Sequence, residues 1–93
     1  MKTLRSNPAK KDYEVLDFYA DWCGPCRRDQ NDVARLAAKG WKITKVNVEK
    51  EPKKQAEYHV RTLPTYIVLH KGKEVKRTNS FVLLRDYLVT KAK

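Results

Sequence analysis

The chain has 93 residues, enough for one domain with its own core, and 41% hydrophobic residues with 10% aromatics exclude a disordered polymer. No apolar run approaches the roughly 20 residues of a membrane span, and Met1–Pro8 lacks the apolar stretch of a secretory leader, so a cytoplasmic protein with no membrane partner is expected. Lys and Arg number 21 against 11 Asp and Glu, a formal +10, which favours acidic partners or nucleic acid electrostatically without selecting either.

Residues 1–12 carry Lys2, Arg5, Lys10 and Lys11 around Pro8 with no apolar period, which predicts a basic, loosely ordered lead-in to a domain over residues 13–93. Tyr13 to Ala20 is apolar on both faces, the pattern of a central strand, interrupted by the single acid Asp17. Gly24-Pro25 opens a helix, since proline suits a first turn; Val33, Leu36 and Ala37 form its apolar stripe and Gly40 closes it. Trp41 to Val48 reads as a second strand, and Glu51-Pro52 starts a short helix through Tyr58. Thr65 to His70 is a β-branched and aromatic strand, turned by Lys71-Gly72-Lys73 into a last strand over Glu74–Thr78. Ser80 caps a final helix with Phe81, Leu84, Tyr87 and Leu88 on one face. The order β-α-β-α-β-β-α predicts an α/β fold in which a parallel crossover pair and an antiparallel hairpin share one four-stranded mixed sheet flanked by helices.

Cys23 and Cys26 are the only cysteines, and a bridge between them closes a loop too short to constrain the unfolded chain, so a structural staple is a poor reading. Redox chemistry or metal binding remains. Zinc needs four ligands, yet only His59 and His70 are left, at a spacing unsuited to a zinc finger, so no metal is expected. Trp22-Cys23-Gly24-Pro25-Cys26 follows a strand and opens a helix, whose free N–H groups and positive dipole end stabilise a thiolate at Cys23 and make it the nucleophile. Cys26 lies in the first turn, where an i, i+3 pair is roughly 5–6 Å apart between Cα atoms, inside disulfide range, so it can expel a bound partner. It is expected to lie deeper than Cys23, less exposed and with the higher pKa.

The run Asp17-Phe18-Tyr19-Ala20-Asp21-Trp22-Cys23-Gly24-Pro25-Cys26 resembles the active-site strand and turn of the thioredoxin family. Lys45-Val46-Asn47-Val48-Glu49 with Pro52, then Val60-Arg61-Thr62-Leu63-Pro64-Thr65, then Lys71-Gly72-Lys73 follow in that family's order and at nearly its spacing. The resemblance, from Tyr13 onward, implies a minimal thioredoxin-like fold and a protein-disulfide reductase with no cofactor beyond its Cys23–Cys26 disulfide. It implies that Pro64 is a cis-proline facing the cysteines and that Leu63 offers backbone hydrogen bonds to an extended substrate segment. The resemblance further implies that Trp22, Gly24 and Pro25 take part in binding the target, Trp22 on the flat rim where it docks. Asp17 resembles the family's buried acid beneath the second cysteine, where desolvation raises its pKa towards a range useful for taking the Cys26 proton, and Lys45 resembles that acid's partner. The implied partners are protein disulfides and a thioredoxin reductase, met by a monomer.

Several positions depart from the family pattern. Its additional first strand and helix have no room before Tyr13, so the strand holding Lys45 is expected at a sheet edge, where Lys42 and Lys45 also discourage edge-to-edge pairing. Asn31 replaces the kinking proline of the active-site helix, Arg28 and Asp29 replace hydrophobic residues after the second cysteine, and Ser80 stands near the last strand's end in place of glycine. Tyr19 reads as a core aromatic. The basic residues are spread as on a solvated surface, except that Arg27 and Arg28 adjoin the cysteines, where they can lower a thiol pKa or select acidic targets. The competing class is a thioredoxin-like binding subunit that contacts nucleic acid or an acidic partner through its basic surface.

Overall fold

The computed structural model describes residues 10–91. Four strands form one mixed sheet: β1 (Tyr13–Tyr19), β2 (Lys42–Asn47), β3 (Thr65–His70) and β4 (Lys73–Thr78), in the order β2-β1-β3-β4. β2 runs parallel to β1, while β1–β3 and β3–β4 are antiparallel. Helix α1 (Gly24–Ala38) makes the crossover from β1 to β2, α2 (Pro52–Glu57) joins β2 to β3, and α3 (Phe81–Lys91) closes the chain. The predicted element order and the central position of β1 are both found. β2, with Lys45, is an edge.

Alternation along the strands divides the core between the two sheet faces. Tyr13, Val15, Tyr66 and Val68 pack with Val33 and Leu36 of α1 and with Leu84 and Leu88 of α3. Leu16, Phe18, Ile67 and Leu69 pack on the opposite face with Val46, Val48, Val60 and Cys23. Phe18, Ile67, Val68, Leu84 and Leu88 have no exposed surface, and each such side chain contributes about 1.5–3 kcal/mol by leaving water. Asp17 points, with Tyr13 and Val15, to the face that α1 covers.

Local chemistry sets the element ends. α1 stops in a Schellman arrangement: Gly40 N–H donates to Ala37 O at 3.0 Å and Trp41 N–H to Leu36 O at 3.3 Å, with Gly40 at φ 102°, a left-handed conformation that favours glycine. Trp41 is thereby spent on the helix cap, which is why β2 begins one residue later than predicted. The β3–β4 turn is Lys71-Gly72, with φ 51° and 86°, the two positive angles of a tight hairpin; Lys73, predicted in the turn, pairs with His70. Ser80 Oγ accepts the Leu83 N–H at 3.3 Å, as expected of a cap.

Of the lead-in predicted over residues 1–12, residues 1–9 lie outside the described residues. Lys10–Asp12 form one turn of 3-10 helix. Lys10 Nζ donates to Lys39 O at 2.7 Å and stands 5.3 Å from the Trp41 ring centroid, while Lys71 N–H donates to Asp12 O at 2.8 Å. Lys10–Asp12, ahead of the apolar pattern, are thus packed on the fold through a lysine stem and backbone groups.

Candidate active site

β1 ends beneath the N-terminus of α1, and the link between them carries the cysteines. Cys23 is the N-cap of α1, with extended backbone (φ −79°, ψ 111°), and its Sγ accepts the Cys26 N–H at 3.2 Å. Pro25 sits in the first turn, where a missing N–H costs nothing. The two cysteines are joined as a disulfide, with Cα atoms 5.3 Å apart. A thiolate at Cys23 would meet an N–H donor and the positive end of a four-turn helix, both of which favour the charged form.

The expected order of burial is reversed. Cys23 is 3% exposed, whereas Cys26 is only half-buried. Both cysteines pack on one apolar cluster, Cys23 within it and Cys26 at its margin. Cys23 packs with Ala20, Val48 and Val60 on the α2 face. Cys26 opens on a cleft of about 180 Å³ whose walls include Asp17, Tyr19, Arg27, Gln30 and Lys45, at the β2 edge of the sheet.

Asp17 is 5% exposed and lies in that cleft with Cys26, so the structure brings together the acid and the second cysteine that the sequence paired. Burial pushes its carboxyl up to about 6; the charge of Lys45 opposes this and the charge of Asp29 adds to it. Lys45 faces Asp17 in register across the β1–β2 pair but is exposed, with Nζ 4.6 Å from the Tyr19 ring centroid. Solvent at the sheet edge weakens its hold on the acid, so desolvation wins. Tyr19, read from the sequence as a core aromatic, is a cleft wall and the platform for that lysine.

A second concavity, about 340 Å³, opens on the other side of the helix tip. Trp22, Cys23, Gly24, Pro25 and Leu63 line it, with Arg61 and Gln55. Trp22 is 66% exposed, an apolar rim presented to solvent. The Leu63–Pro64 peptide is cis, and Pro64 is buried behind Leu63. Asn79, which the sequence did not single out, holds this loop: its Nδ2 donates to Pro64 O at 2.8 Å, with Thr62 Oγ1 at 2.9 Å and Thr65 Oγ1 at 3.1 Å. Thr65 Oγ1 also donates to Thr62 O at 2.6 Å. An asparagine just before a helix cap reads as a turn residue; its reach back to residues 62–65 depends on the β3–β4 hairpin.

Among the described residues no group of three or more His, Cys, Asp or Glu side chains is placed to hold a metal ion, and no helix is long and apolar enough to cross a membrane. His59 follows α2 at φ 54°, and His70, in β3, stacks on Tyr13 with ring centroids 4.5 Å apart; neither lines the cleft or the groove beside the cysteines.

The thioredoxin family model matches residues 3–90. A thioredoxin of Chlamydia trachomatis is 38% identical over 66 residues, which are 69% of this chain and 65% of that protein, just under two thirds of its length. A thioredoxin of Mycoplasma pneumoniae is 32% identical over 84 residues, 88% of this chain and 82% of its own. Among solved structures, the thioredoxin of Fasciola hepatica superposes with a TM-score of 0.79 at 34% identity, covering 85% of this chain and 80% of that one. Thioredoxin NaTrxh of Nicotiana alata gives 0.82 at 27% identity, covering 91% and 79%. With its cysteine pair at the family's spacing and already at disulfide distance, the chain belongs to the thioredoxin family of thiol–disulfide oxidoreductases.

Proposed function

We propose that this chain reduces disulfides in other proteins by two successive exchanges, Cys23 attacking and Cys26 resolving. The observation that carries the assignment is the Cys26 N–H donated to Cys23 Sγ at the start of α1, which favours the thiolate at Cys23 and not at Cys26. In the first exchange the Cys23 thiolate attacks one sulfur of the target disulfide; a Cys23–target disulfide forms and the other target sulfur leaves as a thiolate. In the second, Cys26 gives its proton to Asp17 and attacks Cys23 Sγ. The Cys23–Cys26 disulfide forms, and the second target sulfur leaves as a thiolate that takes up a proton from solvent.

Asp17 suits the proton transfer because its carboxyl, at about 6, is largely ionised at neutral pH yet more basic than an ordinary aspartate. Lys45 limits that rise. Trp22, Gly24, Pro25 and Leu63 receive the extended target segment in the groove beside Cys23, with the cis Pro64 peptide setting the course of the chain behind Leu63. Electrons return to the disulfide from a thioredoxin reductase, and the chain works as a monomer in the cytoplasm; its support there is that both cysteines stand in the site and a bridge over so short a loop adds little stability. A binding subunit acting through basic surface alone has no use for a groove and a cleft that meet at the two sulfurs.

Cys23→Ser is expected to abolish reduction of a protein disulfide such as insulin, while Cys26→Ser attacks once and stays joined to its target. Trapping is read as a covalent adduct on a non-reducing gel. Cys26→Ser that frees its target as fast as wild type, or Cys23→Ser that traps it, overturns the assignment.

A further inference from the structure

The helix that carries the cysteines places a second acid, Asp29, on the hydroxyl of Tyr66, the β3 neighbour of Asp17. Asp29 follows Cys26 by three residues and so lies on the same, sheet-facing side of α1. Tyr66, in β3, pairs in register with Asp17 of β1, and such partners project from the same face of the sheet. Tyr66 is 1% exposed, and its hydroxyl donates to Asp29 Oδ2 at 2.9 Å. A hydroxyl buried in that apolar layer needs an acceptor, and Asp29 supplies one. Among the described residues Asp29 has no cation within ion-pair distance, so the tyrosine is the group that fixes it.

Resting on the reading of Asp17 as the base in the second exchange, we propose that Asp29 is a positioning residue for that step: clamped by Tyr66, it holds a negative charge against Asp17 from the helix side and makes Asp17 the stronger base towards Cys26. The groups facing Asp17 divide by element. β2 presents the exposed Lys45; β3 presents the neutral Tyr66; α1 presents Cys26 and Arg27 in the cleft and Asp29 on the far end of Tyr66; β1 and the turn after it present Tyr19 and Asp21. Arg27, Asp21 and Lys45 line the open cleft, where water screens them, whereas Asp29 is half-buried and tied to a buried ring. The like charge of Asp29 adds to the effect of burial on Asp17. The family's hydrophobic residue at this helix position offers no such charge, so the device belongs to the departure at Asp29.

Asp29→Asn separates charge from structure, because the amide oxygen still accepts from Tyr66. The full chain, reduced, is mixed with dithiobis(nitrobenzoate) in a stopped-flow instrument from about pH 5 to about pH 9, bracketing the Asp17 transition. One coloured thiolate leaves when Cys23 attacks and a second when Cys26 resolves, so the two phases report the two steps. In wild type the second phase rises with pH through an acid limb. Asp29→Asn is expected to move that limb to lower pH and to lower its plateau roughly two- to threefold, with the first phase unchanged. Tyr66→Phe, which frees Asp29 to turn to water, moves the limb in the same direction by less. The Asp17 carboxyl carbon, followed by NMR in the oxidised chain, titrates lower in both variants. A limb and a carbon titration that superpose on wild type in Asp29→Asn, while Asp17→Asn abolishes the limb, overturn the role of Asp29 alone. An acid limb that persists in Asp17→Asn overturns the role of Asp17 and the role of Asp29 with it.

Discussion

Replacing Asp17 with asparagine tests how the fold treats the site's acid, independently of turnover. The wild-type carboxyl binds its proton more tightly folded than unfolded, at about 6 against 3.8. Such a group favours folding at low pH and loses that advantage as pH rises from its unfolded value through its folded one. At about 1.4 kcal/mol for each pKa unit, the difference between the two values costs the wild-type fold about 3 kcal/mol once the carboxyl is ionised. Asparagine does not titrate, so whatever its amide costs at this position is the same at every pH. The stability of Asp17→Asn relative to wild type is therefore expected to rise by about 3 kcal/mol between pH 3.5 and pH 8. Urea unfolding of both proteins in the oxidised state, at several pH values across that interval, measures the difference directly. A difference that stays flat across the interval, or one that falls, refutes the argument that burial dominates over Lys45 at this carboxyl.

Two further perturbations act outside the cleft. Asn79→Ala removes the donor that ties residues 62, 64 and 65, and is expected to cost about 1–3 kcal/mol in urea unfolding and to raise KM for a protein disulfide more than for a small one; equal KM changes would place Asn79 outside substrate recognition. Replacing Arg27 and Arg28 together with glutamine is expected to slow association with an acidic disulfide peptide, a loss that shrinks as salt shortens the Debye length from about 10 Å, while a neutral peptide is little affected; equal loss on both peptides would assign the arginines to the thiol and not to recognition.

The parts of this fold that follow local rules could be read directly. β3 runs from Thr65 to His70 as predicted, because a fully buried strand flanked by proline and a Lys-Gly turn has only one way to end at each side. The cysteine turn and the acid in β1 are legible for the same reason, since strand, proline and helix start fix which elements carry Cys23, Cys26 and Asp17. What depends on distant partners is not. Tyr66 and Asp29 are 37 residues apart, and Asn79 reaches back 14 residues or more, so neither pairing leaves a periodic signature. The burial order of the two cysteines is not legible either, because position in a helix says how many turns cover a residue, whereas Cys23 is covered by Val48 and Val60 from beyond the helix.

The groove and the cleft separate two tasks that a single cavity would set against each other. The groove beside Cys23 is lined by Trp22, Pro25 and Leu63, surfaces suited to a polypeptide and to excluding water from the exchanging sulfurs. The cleft beside Cys26 is polar and joins Asp17 to solvent. On the proposed mechanism, a target seated in the groove need not cover the cleft, which leaves Asp17 a route for releasing its proton to water. The exposed flank of β2 that weakens Lys45 also keeps that proton route open. A more buried Cys26 would deepen desolvation of both thiol and acid, raising the proton affinity of Asp17 at the expense of its access to water. On the same reading, the half-buried position of Cys26 leaves a path for the proton, and the charge proposed for Asp29 on the same helix face offsets part of the basicity that a wetter cleft takes away from Asp17.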